Sequence, residues 1–322
     1  MNTLESLIGD ARLLGFTGKG GVGKTTSSAA TAIRFADRGE RTLLLSTDRS
    51  PSLSDVLGVD VEGELTSVPG VEGLDAIELD YDAVAERWKA EFGEEMYAVV
   101  SSFMPVDRWV IDYFAEAPGI ATQFALSYLL EYVEGETYDR IVWDTAPAGA
   151  TIGLIELEEE LYAHLGEAPR FYAKLRAAVK RDVAHDPSAL LEEWRQLARD
   201  CLEMVRAERT GFVVVTNPES LAVAETARIV EELERRDIAV DAIVANRVLT
   251  EHVCDCEFHR ERVDMQAEHL SELEDEYEAD PGLVTVPQLA TEVDGIESLR
   301  TIGDVLFDRS GGRHQGLTDQ SV

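Results

Sequence analysis

A glycine-rich loop near the start of the chain has the composition of a phosphate-binding site. The segment reads GFTGKGGVGKTT; an apolar run precedes it and a helical pattern follows it. Glycines let backbone N–H groups turn toward a phosphate without a Cβ clash, and the positive end of the following helix attracts the same anion. We expect Lys24 to reach the β- and γ-phosphates of ATP and the Thr25 hydroxyl to ligate Mg²⁺. The predicted nucleotide-binding residues of the loop are Gly18, Gly20, Gly21, Val22, Gly23, Lys24, Thr25 and Thr26.

A second lysine, Lys19, stands near the beginning of the same loop. The run GKGGVGKTT resembles the deviant Walker A loop of the P-loop ATPases that include the ArsA family. The resemblance implies a homodimer that closes around two ATP molecules, in which Lys19 reaches the partner's nucleotide. There it would neutralise charge as an arginine finger does elsewhere, which makes Lys19 and Lys24 catalytic candidates. The alternative is a lysine that stays in solvent.

The segment STDRSPSLSD, residues 46–55, follows an apolar strand and resembles the first switch of the ArsA family, STDPAHSLSD. By this resemblance Asp48 is the catalytic acid that orients the attacking water, a role that needs a carboxylate within hydrogen-bond reach. Arg49 and Pro51 replace the proline and the histidine of the family pattern. The conformation of this loop therefore stays open.

The segment DTAPAGAT, residues 144–151, also follows an apolar strand and resembles the second switch of the family, DTAPTGHT. The resemblance places Asp144 where a Walker B carboxylate holds Mg²⁺ through a water molecule. Ala150 replaces the histidine of the family pattern. Coupling from this switch to the rest of the protein is therefore also open.

Motifs in the second half of the chain resemble the PE, ET.R and VNRVL motifs of the ArsA branch. The resemblance implies that Asn246 hydrogen-bonds adenine, which a side-chain amide can do because it has a donor beside an acceptor. It also implies that Glu219 approaches the partner's nucleotide and that Pro287 borders the base. A structural role for Glu219, such as capping its own helix, remains an alternative.

A short run around Cys256 suggests a metal site. The branch that targets tail-anchored membrane proteins carries a C-x-x-C motif followed by arginine and glutamine. Aligning those two residues with Arg262 and Gln266 places Cys256 and His259 at the cysteine positions. One such pair from each subunit could form a Cys₂His₂ zinc site on the dimer axis. The alternative is a metal-free start of a helix.

The composition of the chain limits its surroundings and its partners. The formal net charge is −34 at pH 7. Such a chain repels itself in dilute buffer, whereas near 1 M salt the Debye length falls to about 3 Å, so we expect a salt-rich, halophilic cytoplasm. An acidic protein from an ordinary cytoplasm is the alternative. Because a negative surface does not neutralise phosphates, neither nucleic acid nor anionic lipid is expected as a direct partner.

Cysteine usage and hydropathy point to a cytoplasmic protein. Three cysteines, an odd number with one close pair, do not suggest a disulfide framework and fit a reducing compartment. No stretch reaches the roughly 18 apolar residues of a membrane span, so no direct insertion into a membrane is expected.

The alternation of apolar runs with helical stretches predicts the fold that positions these residues: an α/β P-loop NTPase with a mostly parallel, doubly covered sheet. Most of the runs are continuous in Val, Ile and Leu, as strands buried on both faces are. The predicted strands are residues 12–16, 42–46, 75–79, 140–143, 211–215, 242–245 and 283–286. The predicted helices are residues 24–38, 117–133, 219–236, 260–275 and 295–307.

Two long insertions with helical patterns, residues 81–116 and 152–208, are expected to form a helical insertion subdomain within one ATPase domain of residues 1–309. A polar, disordered tail is expected over residues 310–322. Resemblance to the targeting ATPases implies that the insertions bind a hydrophobic transmembrane-helix client and that a membrane receptor exists. Their aromatic residues, among them Trp88, Phe92 and Trp109, would line that groove, or they form an ordinary core.

Two functions follow from the resemblance, and they differ in class. The first is an ATP-driven targeting factor for tail-anchored membrane proteins. The second is an arsenite- or metalloid-related ATPase, or another ATP-dependent regulator, without a transmembrane-helix client. The arsenite pump subunit carries cysteines near its second switch, and this chain has no cysteine between Met1 and Asp200.

Overall fold

The structure, a computed structural model, describes residues 2–50, 52–103, 106–115, 120–179, 188–249 and 256–308. The strands are β1 (Leu13–Gly18), β2 (Thr42–Ser46), β3 (Thr66–Ser67), β4 (Leu74–Glu78), β5 (Arg140–Asp144), β6 (Thr210–Thr216), β7 (Val240–Val248) and β8 (Leu283–Pro287). The helices are α1 (Leu4–Ile8), α2 (Lys24–Asp37), α3 (Leu53–Leu57), α4 (Tyr81–Phe103), α5 (Trp109–Ala115), α6 (Ile120–Glu134), α7 (Ala148–Val179), α8 (Ser188–Val205), α9 (Ser220–Glu234), α10 (Glu257–Tyr277) and α11 (Gly295–Phe307).

The strands form one eight-stranded sheet in the order β3-β4-β2-β5-β1-β6-β7-β8. Every pairing is parallel except that of β3 with β4 at one edge. The prediction of a mostly parallel α/β sheet is confirmed, and the predicted strands match observed strands to within two or three residues at each end. The two-residue edge strand β3 was not predicted, because so short a segment has no recognisable alternation.

Both faces of the sheet are buried, which explains why its strands are continuous apolar runs. Neighbouring residues of a strand point to opposite faces; Leu13 and Leu14, for example, belong to different core clusters. Residues of α1, α2, α3 and α11 cover the face of Leu14. Residues of α6, α7, α8, α9 and α10 cover the face of Leu13. Because parallel strands share one carboxyl edge, this arrangement brings the loops after β1, β2 and β5 together.

The two insertions meet in a third cluster of buried side chains, contributed by α4, α5, α6 and α8. Trp88 and Phe92 are each 3% exposed, and both rings pack against Trp194 at centroid distances of 6.1 and 5.8 Å. For these two residues the structure therefore supports the alternative of an ordinary core. Trp109 differs, because 58% of its surface is exposed.

The predicted tail of residues 310–322 lies outside the described residues, as do residues 180–187 of the second insertion. Among the described helices, none combines the length and the hydropathy that a membrane crossing requires.

Candidate nucleotide site

The glycine-rich loop connects β1, near the middle of the sheet, to α2. Gly18 ends β1, Gly23 precedes α2, and Lys24, Thr25 and Thr26 form the first turn of that helix. Gly18 has φ +146° and Gly23 has φ +101°. A Cβ on Gly18 would lie 2.2 Å from the Val215 carbonyl oxygen, and a Cβ on Gly23 would lie 2.2 Å from Asn246 Nδ2. Only glycine fits either position.

The Lys24 ammonium lies inside this loop. Its Nζ donates to the backbone oxygen of Lys19 at 3.3 Å, and its side chain is buried. Burial lowers the pKa of Lys24, while the nearby carboxylates of Asp144 and Asp48 oppose that change. A desolvated cation at the start of a helix provides the positive charge that a phosphate group requires.

Asp144 is the last residue of β5, and it contacts the first turn of α2. Its Oδ2 accepts hydrogen bonds from Thr25 Oγ1 at 2.9 Å and from Ser46 Oγ at 3.3 Å. Its Oδ1 is buried and has no hydrogen-bond partner among the described residues. Desolvation raises the pKa of Asp144 to about 7, against the opposing effects of the Thr25 hydrogen bond and the Lys24 charge.

A buried carboxylate oxygen without a partner is costly, and a hard cation would satisfy it. Thr25 and Asp144 provide a hydroxyl and a carboxylate side by side, the oxygen ligands that Mg²⁺ prefers. The residues predicted for Mg²⁺ therefore fit that ion.

Asp48 lies beside this cluster, just beyond β2. Its backbone N–H donates to Ser46 Oγ at 3.3 Å, and Asp48 Oδ1 accepts from the Ser50 N–H at 3.1 Å. The preceding residue, Thr47, is fixed to the neighbouring strand because Trp143 Nε1 donates to Thr47 Oγ1 at 2.9 Å. The structure thus brings the predicted catalytic acid next to Lys24 and Asp144.

Arg49 and Pro51 are the two residues of segment 46–55 that depart from the pattern of the first switch. The Arg49 guanidinium stacks on the ring of Tyr81 at 4.1 Å from its centroid. Pro51 lies outside the described residues. In the second switch, α7 begins at Ala148, and the exposed Ala150 donates its N–H to the Pro147 oxygen at 2.7 Å within the first turn.

The side-chain amide of Asn246 is hydrogen-bonded to the glycine-rich loop. Its Nδ2 donates to the Val22 backbone oxygen at 2.8 Å, and its Oδ1 accepts from the Arg247 N–H at 2.9 Å. In the amide orientation that satisfies its neighbours, Asn217 also donates to the Val22 oxygen, at 3.2 Å. Sequence reasoning missed Asn217, although its position after the buried strand β6 was a usable signal.

A cavity of about 410 Å³ is lined by residues adjacent in sequence to Asn246 and Pro287, although neither of those two residues belongs to its lining. Its lining includes their sequence neighbours Arg247 and Gln288, together with Asn217 and Glu219. A cavity of this size, with amide and charged groups at its wall, falls within the range of small-ligand sites.

Glu219 occupies the N-cap position of α9, yet its side chain makes no capping hydrogen bond. Its carboxylate instead lies 3.6 Å from Arg262, with about half of each side chain exposed. Lys19 also has a partner within the chain, because its Nζ lies 3.8 Å from Glu225 Oε2 on the same helix.

The predicted zinc residues are neighbours: Cys256 Sγ lies 3.0 Å from His259 Nδ1 at the start of α10. Within the described residues, no group of three or more histidine, cysteine or acidic side chains is arranged to hold a metal ion. Cys254 lies outside those residues. A complete zinc site would therefore need further ligands, from outside the described residues or from a second chain.

Comparison with known proteins finds a matching family model and similar ATPases. The family model described as "Anion-transporting ATPase" matches residues 11–308. A putative arsenical pump-driving ATPase of Halobacterium salinarum is 32% identical over 93% of this chain and 44% of its own length. The ATPase GET3B of Arabidopsis thaliana is 30% identical over 90% of this chain and 77% of its own. A putative arsenical pump-driving ATPase 2 of Aquifex aeolicus is 33% identical over 92% of this chain and 99% of its own. The chain thus spans under half of the first relative and almost all of the third.

We predict that Gly23→Ala weakens ATP binding by at least about tenfold, because its Cβ would overlap the Asn246 amide and its φ is unfavourable for alanine. Titration with a fluorescent ATP analogue measures the effect. The matched control is Gly153→Ala in α7, where a Cβ meets open space. Equal affinities of the two variants would contradict the phosphate-binding role of this loop.

Proposed function

The chain belongs to the anion-transporting ATPase family, and we propose that it couples ATP hydrolysis to the delivery of tail-anchored membrane proteins. Hydrolysis of ATP is the part that the family and the named ATPase relatives establish. The observation that carries the nucleotide assignment is the hydrogen bond between the half-buried Thr25 and the buried Asp144, whose other carboxylate oxygen has no partner among the described residues.

ATP would be held by the residues of the glycine-rich loop, and Mg²⁺ by Thr25 and Asp144. The ion supplies neutralisation of the charge on the phosphates when it is bound. Lys24 adds a second positive charge from inside the loop, and Asp48 is placed to orient a water molecule. The cavity lined by Asn217, Arg247 and Gln288 is our candidate for the adenine pocket.

The proposed homodimer gives Lys19 its function. In the single chain its ammonium faces Glu225 across 3.8 Å, and both side chains are about one third exposed. An exposed pair at this distance contributes only about 0–1 kcal/mol. Lys19 can therefore leave Glu225 at little cost and neutralise a phosphate bound to the partner subunit, when the dimer closes from its open state.

We predict that Lys19→Ala abolishes the shift to dimer that ATP and Mg²⁺ produce, and lowers kcat by at least about a hundredfold because one charge is lost from the transition state. Sedimentation with a non-hydrolysable ATP analogue measures the dimer. Lys89→Ala is the control, since Lys89 pairs with Glu86 and Asp112 on the insertion. A Lys19→Ala protein that still dimerises and hydrolyses ATP would rule out action across the interface.

The helical subdomain supports the client proposal. Its own aromatic core keeps α5 in place, and α5 exposes 58% of Trp109 and 65% of Tyr113, whose rings lie 6.0 Å apart. Adjacent exposed aromatic residues of this kind are typical of binding surfaces. We propose that they contact the transmembrane helix of a client, which a membrane receptor then accepts.

The client proposal is tested with a soluble carrier protein that ends in about 20 leucine and alanine residues, the length of a membrane span. We predict that Asp48→Asn binds ATP without hydrolysing it and captures this probe in salt-matched buffer. Adding Trp109→Ser and Tyr113→Ser should reduce capture about tenfold, whereas Leu65→Ser, a 45% exposed leucine at the sheet edge, should not. No capture by Asp48→Asn would favour the alternative, a metalloid-related ATPase or regulator without such a client.

Zinc at the dimer axis remains part of the proposal, with Cys256 and His259 of each subunit as ligands. We predict one zinc ion per dimer in protein purified without chelators, and loss of that zinc in Cys256→Ser. Elemental analysis decides the question, with Cys201→Ser as the control because Cys201 is buried in the core. Protein without zinc before any substitution would rule out the site.

A salt-rich cytoplasm is the setting that we propose for this chain of net charge −34. Molar KCl screens the repulsion among its carboxylates, so the melting temperature should rise by several degrees between dilute buffer and about 2 M KCl. Calorimetry at fixed pH measures it. A melting temperature that does not change with KCl would contradict adaptation to salt.

A further inference from the structure

The loop that carries Asp48 has little structure of its own. Between the end of β2 and the start of α3, its described residues are neither helix nor strand. Such a segment keeps one geometry only if neighbouring groups hold it. The neighbour on one side is β4, because Ser46 pairs with Glu78 in the sheet and the Leu79 N–H donates to the Ser46 oxygen at 3.0 Å.

Glu78 holds the far end of this loop. It is the last residue of β4 and is only 2% exposed. Its Oε1 accepts from the N–H groups of Ser52 and Leu53 at 2.8 and 3.2 Å. Its Oε2 accepts from the Ser54 hydroxyl at 3.2 Å. A carboxylate buried this deeply persists only when donors surround it, and here those donors are the first groups of α3.

Tyr81 holds the near end of the loop, around Asp48 itself. It is the first residue of α4, and its hydroxyl donates to the Thr47 backbone oxygen at 2.8 Å. Its ring lies below the Arg49 guanidinium at 4.1 Å. The residues immediately before and after Asp48 are thus both fixed to one side chain.

We propose that Glu78 and Tyr81 are positioning residues for ATP hydrolysis, because together they hold both ends of the loop that presents Asp48. Among the described residues, neither side chain hydrogen-bonds Lys24, Thr25 or Asp144, and we expect their effect to reach the reaction mainly through Asp48. A second link exists on the Glu78 side, because the hydroxyl of Ser52 lies 3.3 Å from Thr25 Oγ1. The inference rests on the role proposed for Asp48, the orientation of the attacking water.

The test compares Glu78→Gln and Tyr81→Phe with the unchanged dimer. Glutamine keeps the size of Glu78 but places an NH₂ group against backbone and hydroxyl donors. Phenylalanine keeps the ring below Arg49 and loses only the bond to Thr47. We expect kcat to fall about tenfold in Glu78→Gln and about threefold in Tyr81→Phe, with KM for ATP within about twofold of the original, because neither substituted side chain hydrogen-bonds the glycine-rich loop in the described part of the chain.

Asp75→Asn is the matched control. Asp75 lies on the same strand and accepts hydrogen bonds from Ser67 and Tyr138 at 2.6 and 2.9 Å, but it does not contact the loop. Asp75→Asn should lower the melting temperature, because these two hydrogen bonds weaken. Its kcat should stay within about twofold of that of the unchanged protein. A fall in kcat as large as that of Glu78→Gln would show that any damage to β4 has the same effect, and would overturn the proposal.

Asp48→Asn, measured in parallel, separates the two possible failures. If it loses hydrolysis while Glu78→Gln and Tyr81→Phe keep full kcat, the positioning role is wrong and the role of Asp48 stands. If Asp48→Asn keeps hydrolysis, the role of Asp48 is wrong and the inference is overturned with it. A rise in KM that equals the fall in kcat would also overturn it, because that pattern reports damage to ATP binding.

Discussion

The nucleotide site is organised around one buried carboxylate. Asp144 receives the hydroxyls of Thr25 and Ser46, its backbone oxygen accepts from the Thr47 N–H at 3.0 Å, and the Lys24 charge lies nearby. Three separate segments, the phosphate loop, the first switch and the end of β5, therefore meet at one side chain. Its second oxygen has no hydrogen-bond partner in the described part of the chain, and a cation bound there would offset the cost of burying it.

The sheet order makes this meeting possible. β5 lies between β2 and β1, and residue pairing places Asp144 opposite both Ser46 and Phe16. Parallel strands end at the same edge, so each loop that follows contributes a group to the site. The cores on the two faces fix the strands at this edge, with side chains such as Trp143 and Phe212 packed at a centroid distance of 5.8 Å.

α7 is tied to α9 and to the residues just after it by charge as well as by apolar packing. Arg236, just beyond the end of α9 and with only 11% of its side chain exposed, pairs with Glu156 and Glu159 on α7 and with Glu232 on α9. A cation shared among several carboxylates offsets repulsion in a chain with so many acids. α7 begins at Ala148, shortly after Asp144, and these ion pairs hold that helix at Glu156 and Glu159.

The sequence by itself predicted the glycine-rich loop and the strands, and its resemblance to the ArsA family singled out Asp48 and Asp144. The loop and the strands depend on local spacing, because glycine positions set backbone angles and continuous apolar runs mark strands covered on both faces. Only the tertiary structure decided which distant side chains meet. It joined Glu78 and Tyr81 to the first switch, Lys19 to Glu225 and Asn246 to the Val22 oxygen, and it buried Trp88 and Phe92 in a core of their own. Such contacts follow from the order of strands in the sheet and the packing of helices on it, which local residue patterns do not encode.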